Sequence, residues 1–290
     1  MARVGGQSQR RKRLTHESFL RHGQFFFLKV AAALCGFSIV AYLAQGGRLK
    51  PNGGTALGYV LGITAAGLIV WLALLGIRKR AITDGHYSLK AWVSAHVYLG
   101  LSLIVLATLH TGFQFGWNIH TLAYALMLLV IVSGAFGVWA YVTLPDRLSD
   151  NRGETTRKQM LAELEALDEL IQDAAQPLDH QGAAVVRMSL EQTDLGGGFW
   201  QRLSGRYDHC ATSRALVQVQ ALQRGAAGVQ AEALEQVEVL LTRKQAALAL
   251  ARRQMHITAL LEAWLFVHVP TTFALLAALT AHIVSVFFYW

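Results

Sequence analysis

Apolar residues gather in five long runs, near 24–45, 55–77, 91–113, 120–144 and 263–288, and one long polar stretch, 146–255, separates the fourth from the fifth. A helix rises 1.5 Å per residue, so each run is long enough to cross a hydrocarbon core of ~30 Å. The pattern changes inside the polar stretch. Met160, Leu164, Leu167 and Ile171 recur at the spacing of one helical face, and Leu234, Val237, Leu241 and Leu248 form a similar stripe. Between the stripes, "TDLGGGFWQRLSG" predicts irregular backbone, and no proline interrupts the second stripe before the fifth run. The expectation is an all-α membrane protein with five transmembrane helices and a cytoplasmic helical-hairpin insert. Its divisions are a basic tail at 1–21, transmembrane helices one to four at 22–145, the insert at 146–255 and transmembrane helix five at 256–290.

Composition agrees with the pattern. The 290 residues are 53% hydrophobic and 15% charged, too apolar for an ordinary soluble domain. The net charge of +8 is unevenly spread: Arg3, Arg10, Arg11, Lys12, Arg13, Arg21 and Lys29 face only Glu17 in the first 29 residues. That basic stretch leads straight into an apolar run, so it reads as a cytoplasmic anchor obeying the positive-inside rule and not as a nucleic-acid tail. The loop "RKRAITDGHYSLK" is basic too, whereas loops 46–54 and 114–119 contribute only Arg48 and Lys50. The N-terminus, the 78–90 loop and the insert are therefore expected in the cytoplasm of a cell whose inner membrane holds the chain. The C-terminal "VFFYW" is expected at the outer face, with Tyr289 and Trp290 at the lipid interface. The first run is longer than a signal-peptide core of ~7–15 residues and is expected to remain as a helix.

Chemistry enters through the histidines. "AWVSAHVYLGLSLIVLATLH" at 91–110 and "AWLFVHVPTTFALLAALTAH" at 263–282 share Ala91/Ala263, Trp92/Trp264, His96/His268, Val97/Val269, Leu103/Leu275, Thr108/Thr280 and His110/His282. An ionisable side chain inside a membrane helix is a functional signal, and a repeated gap of fourteen is hard to obtain by chance. Fourteen residues is just under four turns, so both rings leave their helix on nearly one face, separated by ~21 Å along the axis. Runs three and five point the same way across the bilayer. His96 and His268 then share the cytoplasmic leaflet, and His110 and His282 the outer one. Each pair can grip a flat metallocycle between facing helices. Haem suits such a site, because its macrocycle is apolar and its iron takes axial histidines. Zinc, which prefers about four ligands in a tetrahedron, would be under-ligated by two histidines per level.

This constellation resembles the transmembrane dihaem b-type cytochromes, in which two helices of a four-helix bundle each carry two haem-ligating histidines about fourteen apart. The resemblance implies that runs two to five form a haem-binding four-helix bundle, with run one as an extra N-terminal helix. It implies two haem b groups, held by His96, His110, His268 and His282 as axial iron ligands. It also implies small residues on the other two helices, where porphyrin approaches backbone. Gly62 and Gly76, fourteen apart, fit that role, and Gly134 fits it beside Gly137, which is too close to serve a second level. The likeness covers roughly residues 55–145 and 256–290 and is carried by the four histidines. The insert is not part of the usual pattern.

Other residues carry bland readings alongside sharper ones. Gly58 and Gly62 also spell GxxxG, a helix-packing face. Pro270 either kinks the fifth helix beside His268 or is tolerated there. His120 opens the fourth run and reads as an interfacial residue, or as a donor to a haem propionate or a quinol. His86, His256, Arg78, Arg252 and Arg253 lie at cytoplasmic borders, as topology determinants or propionate partners. His16, His22, His180 and His209 read as solvated.

Two cysteines, Cys35 and Cys210, exclude a disulfide framework, a thiolate-ligated cluster and a covalent c-type haem, for which no CxxCH exists. Neither GxGxxG nor GxxxxGK is present, so a flavin or nicotinamide site in this chain is not expected. Acidic and basic residues nearly balance in the insert, which reads as a docking surface for a redox partner protein or as a spacer. The function expected is transmembrane electron relay by one subunit of a larger complex, embedded in lipid, with quinone as a candidate partner and no nucleic acid. Rival readings are a ferric-reductase or NADPH-oxidase-like membrane domain served by a separate flavoprotein, a metal transporter, and a structural membrane anchor.

Overall fold

The computed structural model describes residues 19–45, 52–76, 88–143 and 153–288. The expectations for the basic tail up to residue 18, His16, Arg48, Lys50, Arg78, His86, Tyr289 and Trp290 lie outside the described residues. The chain is all-helical, and no strand occurs among those described. Five helices are long and apolar enough to cross a membrane: α1 (His22–Gln45), α2 (Ala56–Ala73), α3 (Leu89–Thr111), α4 (Ile119–Thr143) and α9 (Val229–Phe288). Among the described residues, four more helices lie between α4 and α9: α5 (Gly153–Ala174), α6 (His180–Glu191), α7 (Phe199–Ser204) and α8 (Ala211–Gln223). Two compact units emerge, Met1–Val138 with Phe266–Trp290, and Trp139–Leu265. Helix α9 belongs to both.

In the first unit, α1 and α2 both pack along α3. Thr55 caps α2 by accepting from the Gly58 amide, and Ser88 caps α3 by accepting from the Ala91 amide. Gly112 ends α3 in the left-handed conformation that glycine adopts without strain. The core brings together Ala65, Ile69 and Leu72 of α2, Leu103 and Leu106 of α3, Met127 of α4 and Leu275 of α9. Leu103 and Leu275 are repeat-matched residues, each seven positions from both histidines of its own helix. Outward faces carry Phe37, Ile63, Val132 and Phe273, all exposed, as lipid-facing positions do when no water must be satisfied. Pro270 removes one backbone donor from α9, yet the helix runs on, and the Thr271 and Thr272 hydroxyls bond the Val267 and His268 carbonyls.

The second unit has its own core. Ile171 of α5 and Leu234, Val237 and Leu241 of α9 are buried there, so the two stripes read from the sequence do face inward. The expected hairpin is incomplete, however. Val185 and Val186 of α6 and Ala215 and Val219 of α8 join the same core, so the middle of the insert is largely helical. Among the described residues, the connections 175–179, 192–198, 205–210 and 224–228 are irregular. Lys244, almost wholly buried, pairs with Asp168 at 2.5 Å and donates to the Ser189 carbonyl at 3.1 Å, tying α9 to α5 and α6. Leu241 is fully buried, so Leu241→Ala is expected to remove about 3 kcal/mol of insert stability. Protease nicking of the insert, with the membrane helices intact, is the measurement that checks it.

Candidate functional site

The four repeated histidines of the first unit are half-buried and fall at two levels. At one level, His110 of α3 and His282 of α9 have ring centroids 6.0 Å apart at an interplanar angle of 87°. At the other, His96 of α3 and His268 of α9 are close enough for the charge of one to bear on the other.

What holds each ring is more informative than its position. His96 donates from Nδ1 to the Leu72 carbonyl at 3.2 Å, and His110 donates from Nδ1 to the Gly58 carbonyl at 2.8 Å. Both acceptors are backbone carbonyls of α2, fourteen residues apart, the same interval that separates the histidines on α3. Antiparallel packing of two regular helices makes the intervals match. On α4, Ser133 donates its hydroxyl hydrogen to the Val130 carbonyl at 2.9 Å, leaving its oxygen to accept from His268 Nδ1 at 2.8 Å. His120 and His282 share a hydrogen bond between their Nδ1 atoms, with ring centroids 4.5 Å apart. A donor bond at Nδ1 fixes the tautomer whose Nε2 carries the lone pair, the arrangement that orients a metal-bound imidazole.

A glycine makes room for one of these rings. A Cβ at Gly62 would stand 2.7 Å from Cε1 and 2.9 Å from Nδ1 of His110, a contact no side chain tolerates. A Cβ at Gly134 would meet His268 Cε1 at 3.4 Å. Gly76, expected to match Gly62, does not lie against a histidine ring. No atom lies within 4 Å of a Cβ built there, and it stands beyond the end of α2. Register places Leu72 at the His96 level instead. Gly58 serves its own turn, because a Cβ there would overlap the Asn52–Gly53 backbone.

Sequence reasoning underrated His120 and did not name Ser133. His120 was read as interfacial but touches a repeat histidine directly. Ser133 precedes Gly134 inside an apolar span, which was the available signal. The carbonyls of Leu72 and Gly58 have no side-chain signature at all. Conversely, Arg252 and His256 are committed within the second unit: Arg252 donates to the Asp194 and Leu195 carbonyls, and His256 to the Arg202 carbonyl. The propionate role considered for Arg252 gives way to a loop clamp.

The paired imidazoles could hold a metal or a metalloporphyrin between them. Among the described residues no three His, Cys, Asp or Glu side chains converge as a metal-binding group. Two metal–nitrogen bonds of about 2 Å plus half a ring on either side span about 6 Å, which matches the His110–His282 separation. No known protein family, curated protein or solved structure matches this chain.

Proposed function

We propose that the protein is a dihaem b-type cytochrome subunit that relays electrons across a membrane between a donor and an acceptor. His96 and His268 would hold one haem b, and His110 and His282 the other. Each haem, when bound, would supply one-electron redox chemistry. The single observation that carries this reading is the repeated anchoring of Nδ1. His96 and His110 each give their Nδ1 proton to a carbonyl of α2, at levels fourteen residues apart. Ser133 supports His268, and His120 supports His282, from α4. These contacts orient the rings and limit their rotation, and the donor bonds of His96, His110 and His268 leave the lone pair on Nε2. Gly62 keeps α2 from crowding His110. The layer of Leu103, Leu106, Met127 and Leu275 excludes water between the levels.

The positive-inside pattern supports an inner-membrane location, with the His96/His268 level toward the cytoplasm. The insert is a candidate docking surface for a redox partner in a multi-subunit complex, and quinone is a candidate electron partner. A metal transporter would call for carboxylates at the histidine levels, whereas the partners found there are carbonyls, a hydroxyl and another imidazole.

Proteoliposomes holding ferricyanide inside, with an impermeant reductant added outside, test the function. Ferricyanide reduction should depend on the protein and respond to an imposed potential, since a full crossing is worth ~2.3 kcal/mol per 100 mV. Rates equal to those of empty liposomes would sink the proposal.

A further inference from the structure

The glycine-rich loop of the second unit is built more firmly than a spacer requires. Asp194 accepts from the Gly196 amide at 3.0 Å, and the Gly197 and Gly196 amides hold its carboxyl below the usual carboxylate range. The Gly196 carbonyl accepts from Arg202 Nε at 3.2 Å and from the Tyr207 hydroxyl at 3.3 Å. Arg252 of α9 donates to the Asp194 carbonyl at 2.6 Å and lies 4.3 Å over the Tyr207 ring. One turn further along α9, His256 Nδ1 donates to the Arg202 carbonyl at 2.9 Å. The loop and the short helix α7 are thus fastened to α9 at residues 252–256, about two turns before the apolar run that begins at Ala263.

This framework displays two side chains that the insert's core does not use. Phe199 is 54% exposed and Trp200 76% exposed, with rings edge to face at 5.5 Å. Among the described residues of the insert, they are the two exposed aromatics. Exposed arginines accompany them: Arg202 and Arg206 on the same segment, and Arg253 on α9. Aromatic rings with adjacent cations, held shortly before the apolar run of a helix, have the chemistry of a lipid–water boundary. Water offers the rings nothing, and an anionic headgroup layer attracts the arginines.

We propose that Phe199 and Trp200 seat in the interfacial layer of the bilayer, with Arg202, Arg206 and Arg253 facing the phosphates of anionic lipids. The pair fixes the level at which α9 enters the membrane and holds the insert down on the lipid surface. This anchor rests on the membrane character of α9 and not on any haem.

The full chain is reconstituted in phosphatidylcholine vesicles with and without phosphatidylglycerol, using lipid brominated high on the acyl chain. The Trp200 emission is isolated as the difference between the protein and Trp200→Phe. The expected component is blue-shifted, loses most of its intensity to brominated lipid and resists aqueous acrylamide. A red-shifted component quenched by acrylamide and untouched by bromine would overturn the proposal and leave the pair as a protein-docking face. With phosphatidylglycerol present, Arg206→Glu combined with Arg253→Glu should reduce bromine quenching to the level seen in phosphatidylcholine alone. Equal quenching in both lipids, whatever the arginines, would remove the anionic-lipid part. Haem content is expected to be unchanged in all these variants, so failure here is distinguishable from failure of the electron-relay reading.

Discussion

Replacing His282 with leucine is expected to leave the protein with one haem instead of two. His110 and His282 stand 6.0 Å apart by ring centroid, whereas His96 is anchored on Leu72 and His268 on Ser133. A layer of Leu103, Leu106, Met127 and Leu275 packs in the core shared by the helices that carry them. The two sites share no side chain, so losses should add between levels and not within one. His110→Leu and His282→Leu should each remove the same spectral component, and the double variant should look like either single one. His96→Leu and His268→Leu should remove the other component. Leucine suits the surrounding apolar positions and relieves the protein of an imidazole in lipid, so gross unfolding is not the expected cause. Haem analysis with redox titration of each variant checks this. Loss of both components from every single substitution would point to one shared site or to collapse of the bundle.

The second large effect needs only one methyl group. Gly62→Ala would put a Cβ 2.7 Å from His110 Cε1 and 2.9 Å from its Nδ1. The ring cannot stay, because its Nδ1 is also tied to the Gly58 carbonyl at 2.8 Å one turn away on the same helix. The outer haem should be lost or held weakly, and the inner one kept. Gly67, five residues on, has nothing within 4 Å of its Cβ position, so Gly67→Ala is the control. Alanine favours a helix interior over glycine by about 1 kcal/mol at either site. Any difference between the variants therefore reports the contact with His110. Equal haem content in the two would remove Gly62 from the site.

The ease with which these elements could be read from the sequence follows from the forces behind them. The five spans were plain because a bilayer imposes a minimum length and strips out charge, and both constraints are written in consecutive residues. The histidine levels were legible because helical periodicity turns a gap of fourteen into one face. The stripes Leu164, Leu167, Ile171 and Leu234, Val237, Leu241 were legible for the same reason, and all six are buried. Helices α6 and α8 escaped because their buried positions, Val185, Val186, Ala211, Ala215 and Val219, are small and sit between glycine-rich connections. Their burial depends on tertiary packing, which no local period reveals. Gly76 was matched to Gly62 by spacing along one helix, but α2 ends at Ala73. The level of His96 is set by the antiparallel register with α3, and that register favours Leu72. Backbone acceptors such as the Leu72 and Gly58 carbonyls leave no trace in residue types, so the anchoring of the rings had to be seen in coordinates.

In the insert, Arg252 was legible as a basic residue before a membrane span but not as a clamp. Its partners, Asp194, Leu195, Cys210 and Tyr207, lie more than forty residues earlier. Burial alone would push the Cys210 thiol up. The Ser213 amide and the Arg252 guanidinium outweigh it and bring the thiol below its ordinary range. That arginine serves the loop geometry on which Phe199 and Trp200 are mounted.

Haem counted against protein decides the matter most directly. The purified chain should give a reduced-minus-oxidised spectrum with a b-type band, and pyridine haemochrome analysis should return about two haems per polypeptide. A preparation that folds with its five helices intact yet carries no haem, or that takes up zinc at the histidines in its place, would contradict the account.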